Sequence, residues 1–169
     1  MPEKQTIERA EEDKREGKSP STQAGEFVRE EMHHIREGKH GARSTKQAIA
    51  IGLSKARRSG VKLGTPKKGT ASARTRKQAQ RDLAKGQSGR KRRPSSRRSR
   101  ATSAALKGEG HSAASKTSLS RQARSAAKRR TSTSRHEAAM KAVRTKGKSG
   151  LKKAAQKASR TGARHQRAA

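Results

Sequence analysis

The run Arg90-Lys91-Arg92-Arg93-Pro94-Ser95-Ser96-Arg97-Arg98-Ser99-Arg100 places seven cations in eleven residues. Guanidinium and ammonium groups at this density suit a nucleic-acid patch or, in a eukaryotic cell, a nuclear import signal, with a solvated linker as the plain alternative; within so basic a tail the nucleic-acid reading is preferred. Further cations follow in Arg121, Arg124, Lys128, Arg129 and Arg130, and in Lys152 and Lys153. The serines between the arginines offer phosphorylation sites that would weaken such binding. The cluster lacks the Arg-Gly-Arg-Pro core of a minor-groove hook. A second candidate is the turn with Lys39, His40 and Arg43. Its cations precede the free amides that follow Ser44, so it reads as a phosphate-binding corner at a helix N-terminus. An ordinary solvated turn accounts for the same residues equally well.

Other chemistries find less support. His33, His34 and His40 invite a metal reading, but His33 and His34 are adjacent and diverge by about 100° on a helix. The chain has no cysteine, and Glu30, Glu31 and Glu37 suit ordinary helix-surface pairing. The expectation is therefore no metal and no cofactor. Serine is abundant, yet no nucleophile–base constellation or Gly-rich phosphate loop accompanies it. No enzyme and no small-molecule substrate are expected. Trp and Tyr are absent and there is one Phe, which disfavours the aromatic platforms of single-strand binders.

The elements that must position these residues are helical. Segment 3–16 is charged on nearly every face, with Ile7 and Ala10 as its apolar anchors. Segment 20–37 has Ser19 as cap, Pro20 at the first helical position and Gly38 as stop. Ala24, Val28, Met32 and Ile35 recur there at helical spacing beside Phe27. Segment 45–58 opens on a capping box, Ser44 with Gln47. Ile49, Leu53 and Ala56 form its stripe, and Gly52 leaves room for a partner helix. Together the last two predict a helical hairpin, with Phe27, Val28, Ile35, Ile49 and Leu53 facing one another. Segments 73–85, 117–130, 135–146 and 150–161 are helix-compatible, with Gly86, Gly147 and Gly162 as stops and Ser134–Glu137 as a second capping box.

Charge divides the chain near Leu63-Gly64-Thr65-Pro66. Residues 1–63 hold 14 basic and 10 acidic side chains, and residues 64–169 hold 32 and 3. Ile, Leu, Met, Val and Phe number 11 in the first part and 6 in the second. Overall the 169 residues carry a net charge of +33, with 26% hydrophobic residues. A chain so poor in large apolar residues is expected to stay mostly unfolded. The predicted fold class is thus mostly disordered, with a small all-α N-terminal hairpin in residues 1–63 and a basic low-complexity tail in 64–169. No apolar run reaches the length of a membrane span, and residues 1–17 lack the apolar stretch of a secretory signal.

The stretch from Ser19 to Ser44, with Glu26-Phe27-Val28-Arg29-Glu30-Glu31-Met32-His33-His34 at its centre, resembles an uncharacterised family of small basic bacterial proteins. Its continuation, Lys46-Gln47-Ala48-Ile49-Ala50-Ile51-Gly52-Leu53-Ser54-Lys55-Ala56-Arg57-Arg58, is similar to the same family. The resemblance covers about residues 1–63 and implies a bacterial origin, with no activity attached. The tail is similar in composition to the Ala/Lys-rich tails of linker-histone-like bacterial proteins. The expected function is sequence-independent DNA binding and compaction in a bacterial nucleoid, within the cytoplasm, with self-association through the hairpin. RNA or ribosome association, and a protein-binding hairpin with an electrostatic tether, are the alternatives.

Overall fold

The computed structural model describes residues 2–88 and 95–167. Among these the elements are α1 (Lys4–Arg15), α2 (Pro20–Arg36), α3 (Thr45–Arg58), α4 (Ala73–Gln87), α5 (Ser96–Lys107), a 3-10 turn (Ser112–Ala114), α6 (Lys116–Lys128) and α7 (Ser132–Arg167). Residues 1–123 form one compact unit and residues 124–169 a second. The prediction of a mostly disordered chain with a small hairpin is therefore overturned: the protein is helical along most of its described length. Two physical reasons account for the difference. Ala, Arg, Lys and Gln are strong helix formers, and the first unit packs with alanine where large apolar side chains are scarce.

The hairpin forms as the apolar spacing requires. Gly38 (φ 73°) ends the α2 turn in the left-handed region that favours glycine. At the start of α3, Ser44 Oγ accepts from the Gln47 amide at 3.2 Å, and Gln47 Oε1 accepts from the Arg43 amide at 3.1 Å. Ser19 precedes α2 but its hydroxyl bonds Ser21 and Thr22 hydroxyls, with no side-chain cap. At the crossing, a Cβ on Gly52 would lie 2.7 Å from Val28 Cα and 3.0 Å from the Phe27 carbonyl. The backbones thus meet where only glycine fits.

Two apolar clusters fill the hairpin. One joins Ala10, Ala24, Phe27, Ala56 and Val61, with Ile7, Leu53 and Leu63 against it. The other joins Met32, Ile35, Ala42, Ala48, Ala113 and Ala114, with Val28, Ile49 and Leu119 against it. The second cluster draws on residues far beyond position 63. Backbone bonds fasten them: Gly41 N donates to Leu106 O and Ala42 N to Gly110 O. Side chains of the hairpin do the same, Thr45 Oγ1 to Ala113 O at 2.7 Å and Arg36 Nε to Ala114 O at 2.9 Å.

A buried charge fixes α4. Asp82, 1% exposed, accepts from Ser54 Oγ at 2.6 Å, Arg58 Nε at 2.8 Å and Gln78 Nε2 at 3.0 Å. A carboxylate so enclosed is tolerable because its lone pairs are matched. Nearby, the buried Arg57 donates to the carbonyls of Leu63 and Gly64. Burial pushes its guanidinium below its ordinary range, and Asp82 opposes that shift.

In the C-terminal part the predicted stops behave differently. Gly86 lies inside α4, one residue from its end, and α7 runs through Gly162. Gly147 (φ 65°, ψ 171°) does break α7. The expected Ser134–Glu137 box is not used. Instead the Ser134 amide donates to Thr131 Oγ1 at 3.2 Å, so the helix starts a turn earlier.

Candidate nucleic-acid interface

The structure separates the cations into two populations. In the first, acidic partners occupy them. Arg9 meets Glu26 at 2.9 Å, Lys18 meets Asp13 and Glu16 at 2.8 and 2.6 Å, and Lys55 meets Glu31 at 2.7 Å. Arg58 is held by Asp82, as described above. Asp13 and Glu16 raise the Lys18 ammonium above the usual lysine range.

The second population has no acidic partner among the described residues; it includes Lys14, Arg15 and Lys46 and every described lysine and arginine beyond Arg58. Among the described residues, no ion pair involves a cation beyond residue 95. Arg97, Arg98 and Arg100 are exposed on α5, which buries none of its side chains. Arg121, Arg124 and Lys128, spaced i, i+3, i+7, share one exposed face of α6. Leu119 and Gln122, turned away from that face, are half-buried. Arg129 and Arg130 are exposed just after α6, and Lys152 and Lys153 are exposed on α7. Lys153, Lys157 and Arg160 form a further i, i+4, i+7 row there. Arg90, Lys91, Arg92 and Arg93 lie outside the described residues.

The corner at Lys39, His40 and Arg43 is not assembled as an anion site. The Lys39 ammonium lies 3.1 Å from Glu37 and 3.3 Å from Glu3, and these carboxylates raise its pKa, Glu37 foremost. His40 turns inward, its Nε2 3.4 Å from Glu31 Oε1. Arg43 remains exposed, and one of the amides expected to be free, that of Gln47, is taken by Ser44.

Sequence reasoning grouped His33 with His34 and His40, and the structure regroups them. His33 is exposed. Glu31, His34 and His40 instead bring one ligand atom each to within 4.8 Å of one another. The i, i+3 spacing of Glu31 and His34, followed by a glycine-hinged turn before His40, was the sequence signal for this grouping.

Residues 15–69 match a family of unknown function (DUF6496). No curated protein and no solved structure matches the chain. Among the described residues, no helix is long and apolar enough to cross a membrane.

Proposed function

We propose that the protein binds nucleic acid through its phosphates, with duplex DNA as the favoured form and without base readout. The observation that carries this reading is the split between paired and unpaired cations. Among the described residues, six lysines and arginines, none later than Arg58, have an acidic partner, whereas Arg97, Arg98 and Arg100 on α5, Arg121, Arg124 and Lys128 on α6, and Lys152 and Lys153 on α7 are exposed and have none. A net charge of +33 repels itself unless a dense polyanion compensates it. The helices present the side chains already ordered, so binding does not have to fold them. Phosphate contacts of this kind fix position and carry no sequence information. Compaction follows where cations of one chain engage separate duplex segments.

The test is salt-dependent binding to a labelled duplex, followed by fluorescence anisotropy. Affinity should fall steeply as salt rises, because each neutralised phosphate releases counterions. Replacing Arg121, Arg124 and Lys128 together by Gln should make the slope of log affinity against log salt shallower by about 2.7 on duplex DNA, about 0.9 per lost contact. Replacing the paired Lys18 and Lys39 by Gln should leave the slope unchanged. A flat salt response, or equal effects of the two variants, contradicts the reading. Competition with ribosomal RNA decides which polyanion is preferred.

A further inference from the structure

The geometry points to a divalent transition-metal site formed by Glu31, His34 and His40, of the kind Zn²⁺ or Co²⁺ occupies. It is independent of the phosphate-binding surface.

The first observation is spacing. Bonds of about 2.1 Å to a tetrahedral ion set neighbouring ligand atoms roughly 3.4 Å apart. Glu31 Oε1 and His40 Nε2 already stand 3.4 Å apart, and the three ligand atoms lie within 4.8 Å of one another.

The second observation concerns Glu31 itself. Its side chain is 0% exposed, and neither carboxylate oxygen receives a hydrogen bond. Lys55 Nζ approaches Oε2 at 2.7 Å, an ion pair without the alignment of a hydrogen bond. Among the described residues, Oε1 has only the His40 ring, at 3.4 Å. Lys55 balances the charge at Oε2, but the buried acceptor Oε1 lacks a hydrogen bond; that is costly, and a metal ion at Oε1 would remove the cost. Lys55 on the other oxygen then acts as the outer partner that orients a ligating carboxylate.

The third observation is the polarity of the two rings. His40 Nδ1 lies 3.1 Å from the Gly41 carbonyl, which can only accept, so Nδ1 carries the hydrogen. In the neutral ring Nε2 then aims a lone pair at a carboxylate oxygen, a repulsive arrangement that a cation between them reverses. His34 Nε2 lies 2.8 Å from Glu3 Oε1. An ionised carboxylate can only accept, so Nε2 donates. The lone pair of His34 Nδ1 is left inward, 3.9 Å from Glu30 Oε1. Both imidazoles thus donate to an outer acceptor and turn an acceptor nitrogen toward buried carboxylates. Metal-bound histidines show this pattern. Imidazole and carboxylate ligands without thiolate suit Zn²⁺, Co²⁺ and Ni²⁺. Bound there, the ion would tie the 38–42 loop to α2, and through Gly41 and Ala42 to the end of α5 and the segment that follows it.

The test uses the untagged full chain, stripped with a chelator and dialysed. Titration with Co²⁺ should give saturable 1:1 binding with visible absorption bands of a tetrahedral ion, and Zn²⁺ should displace it. Calorimetry with Zn²⁺ should weaken at least tenfold in Glu31→Gln and in His40→Ala, and stay unchanged in His33→Ala. Circular dichroism checks the fold of each variant. If His40→Ala unfolds, the isosteric Glu31→Gln decides. The absence of saturable binding by the wild-type chain overturns the proposal. So does binding lost in His33→Ala but kept in Glu31→Gln, because that marks an ordinary surface-histidine site.

Discussion

The same substitution at two glycines of the hairpin should act with opposite sign. Gly52→Ala places a methyl 2.7 Å from Val28 Cα and 3.0 Å from the Phe27 carbonyl. Ordinary carbon contacts are about 3.5–4.0 Å, so α2 and α3 must part by roughly 0.8–1.3 Å. The atoms in the way are backbone and cannot rotate aside. Overpacking of this sort costs about 1–3 kcal/mol. The alanine returns about 1 kcal/mol of helix propensity. A gap of that width also forfeits a quarter to a half of the dispersion across the interface. Because α2 and α3 contribute to both apolar clusters, the upper part of the cost applies and the net loss is about 1–2 kcal/mol. Gly25 lies in α2 with nothing within 4 Å of an added Cβ, so Gly25→Ala should gain about 0.5–1 kcal/mol. Urea titration followed by the amide signals of Ile49 and Leu53 reads both changes. With a slope of about 2 kcal/mol/M, the two midpoints should differ by roughly 1 M. A rise in midpoint for Gly52→Ala would refute the reasoning, since it would mean that the helices do not meet there.

Asp82→Asn should free α4 while leaving the hairpin folded, because the charge that Arg58, Ser54 and Gln78 converge on is lost. Charge-assisted bonds contribute about 1.5–3 kcal/mol each, and amide exchange across 76–87 should quicken selectively. Leu119→Ala should destabilise the first unit by about 1–3 kcal/mol, towards the lower end of the range of a buried leucine because Leu119 is only half-buried, since Leu119 packs against the cluster containing Ala113 and Ala114. Thermal unfolding checks it, and an unchanged midpoint contradicts the packing. For pH, the lowered pKa of Glu3 means that its contribution is present above the ordinary value of 4.5 and is lost as pH falls below it. The groups facing it are His34 and Lys39, with Glu30 accepting from its amide. Glu3→Gln should flatten the acid limb of the stability curve below pH 4.5, and an unchanged acid limb contradicts the pairing.

The first three helices were legible nearly to the residue. Caps and glycine stops are local signals, and α3 spans the predicted 45–58. Four tail segments were also visible as helix-compatible, but a count of large apolar residues dismissed them as unfolded. That count ignores alanine, and Ala79, Ala113 and Ala114 are 5%, 4% and 0% exposed. It also ignores Asp82, whose anchoring depends on Ser54 and Arg58 from another helix. α5 was missed because its arginines and serines read as a charge cluster. The metal-ligand grouping was hidden for a related reason: adjacency drew attention to His33, whereas the fold selects Glu31 one turn before His34. The densest cations, Arg90 to Arg93, fall outside the described residues, so the sequence remains the source for them.

The alanine contacts also bear on how this chain can vary. In a stretch where Ala and Ser recur almost monotonously, the letters look interchangeable, yet their structural information content is uneven. Ala113 and Ala114 are sealed beneath the hairpin, whereas Ala126 and Ala127, of the same type and only a dozen positions on, face solvent. A saturation library would therefore show a barcode, with two intolerant columns at 113 and 114 inside a permissive field. Such a chain can drift widely in sequence while its architecture depends on a few small residues that compositional filters discard as background.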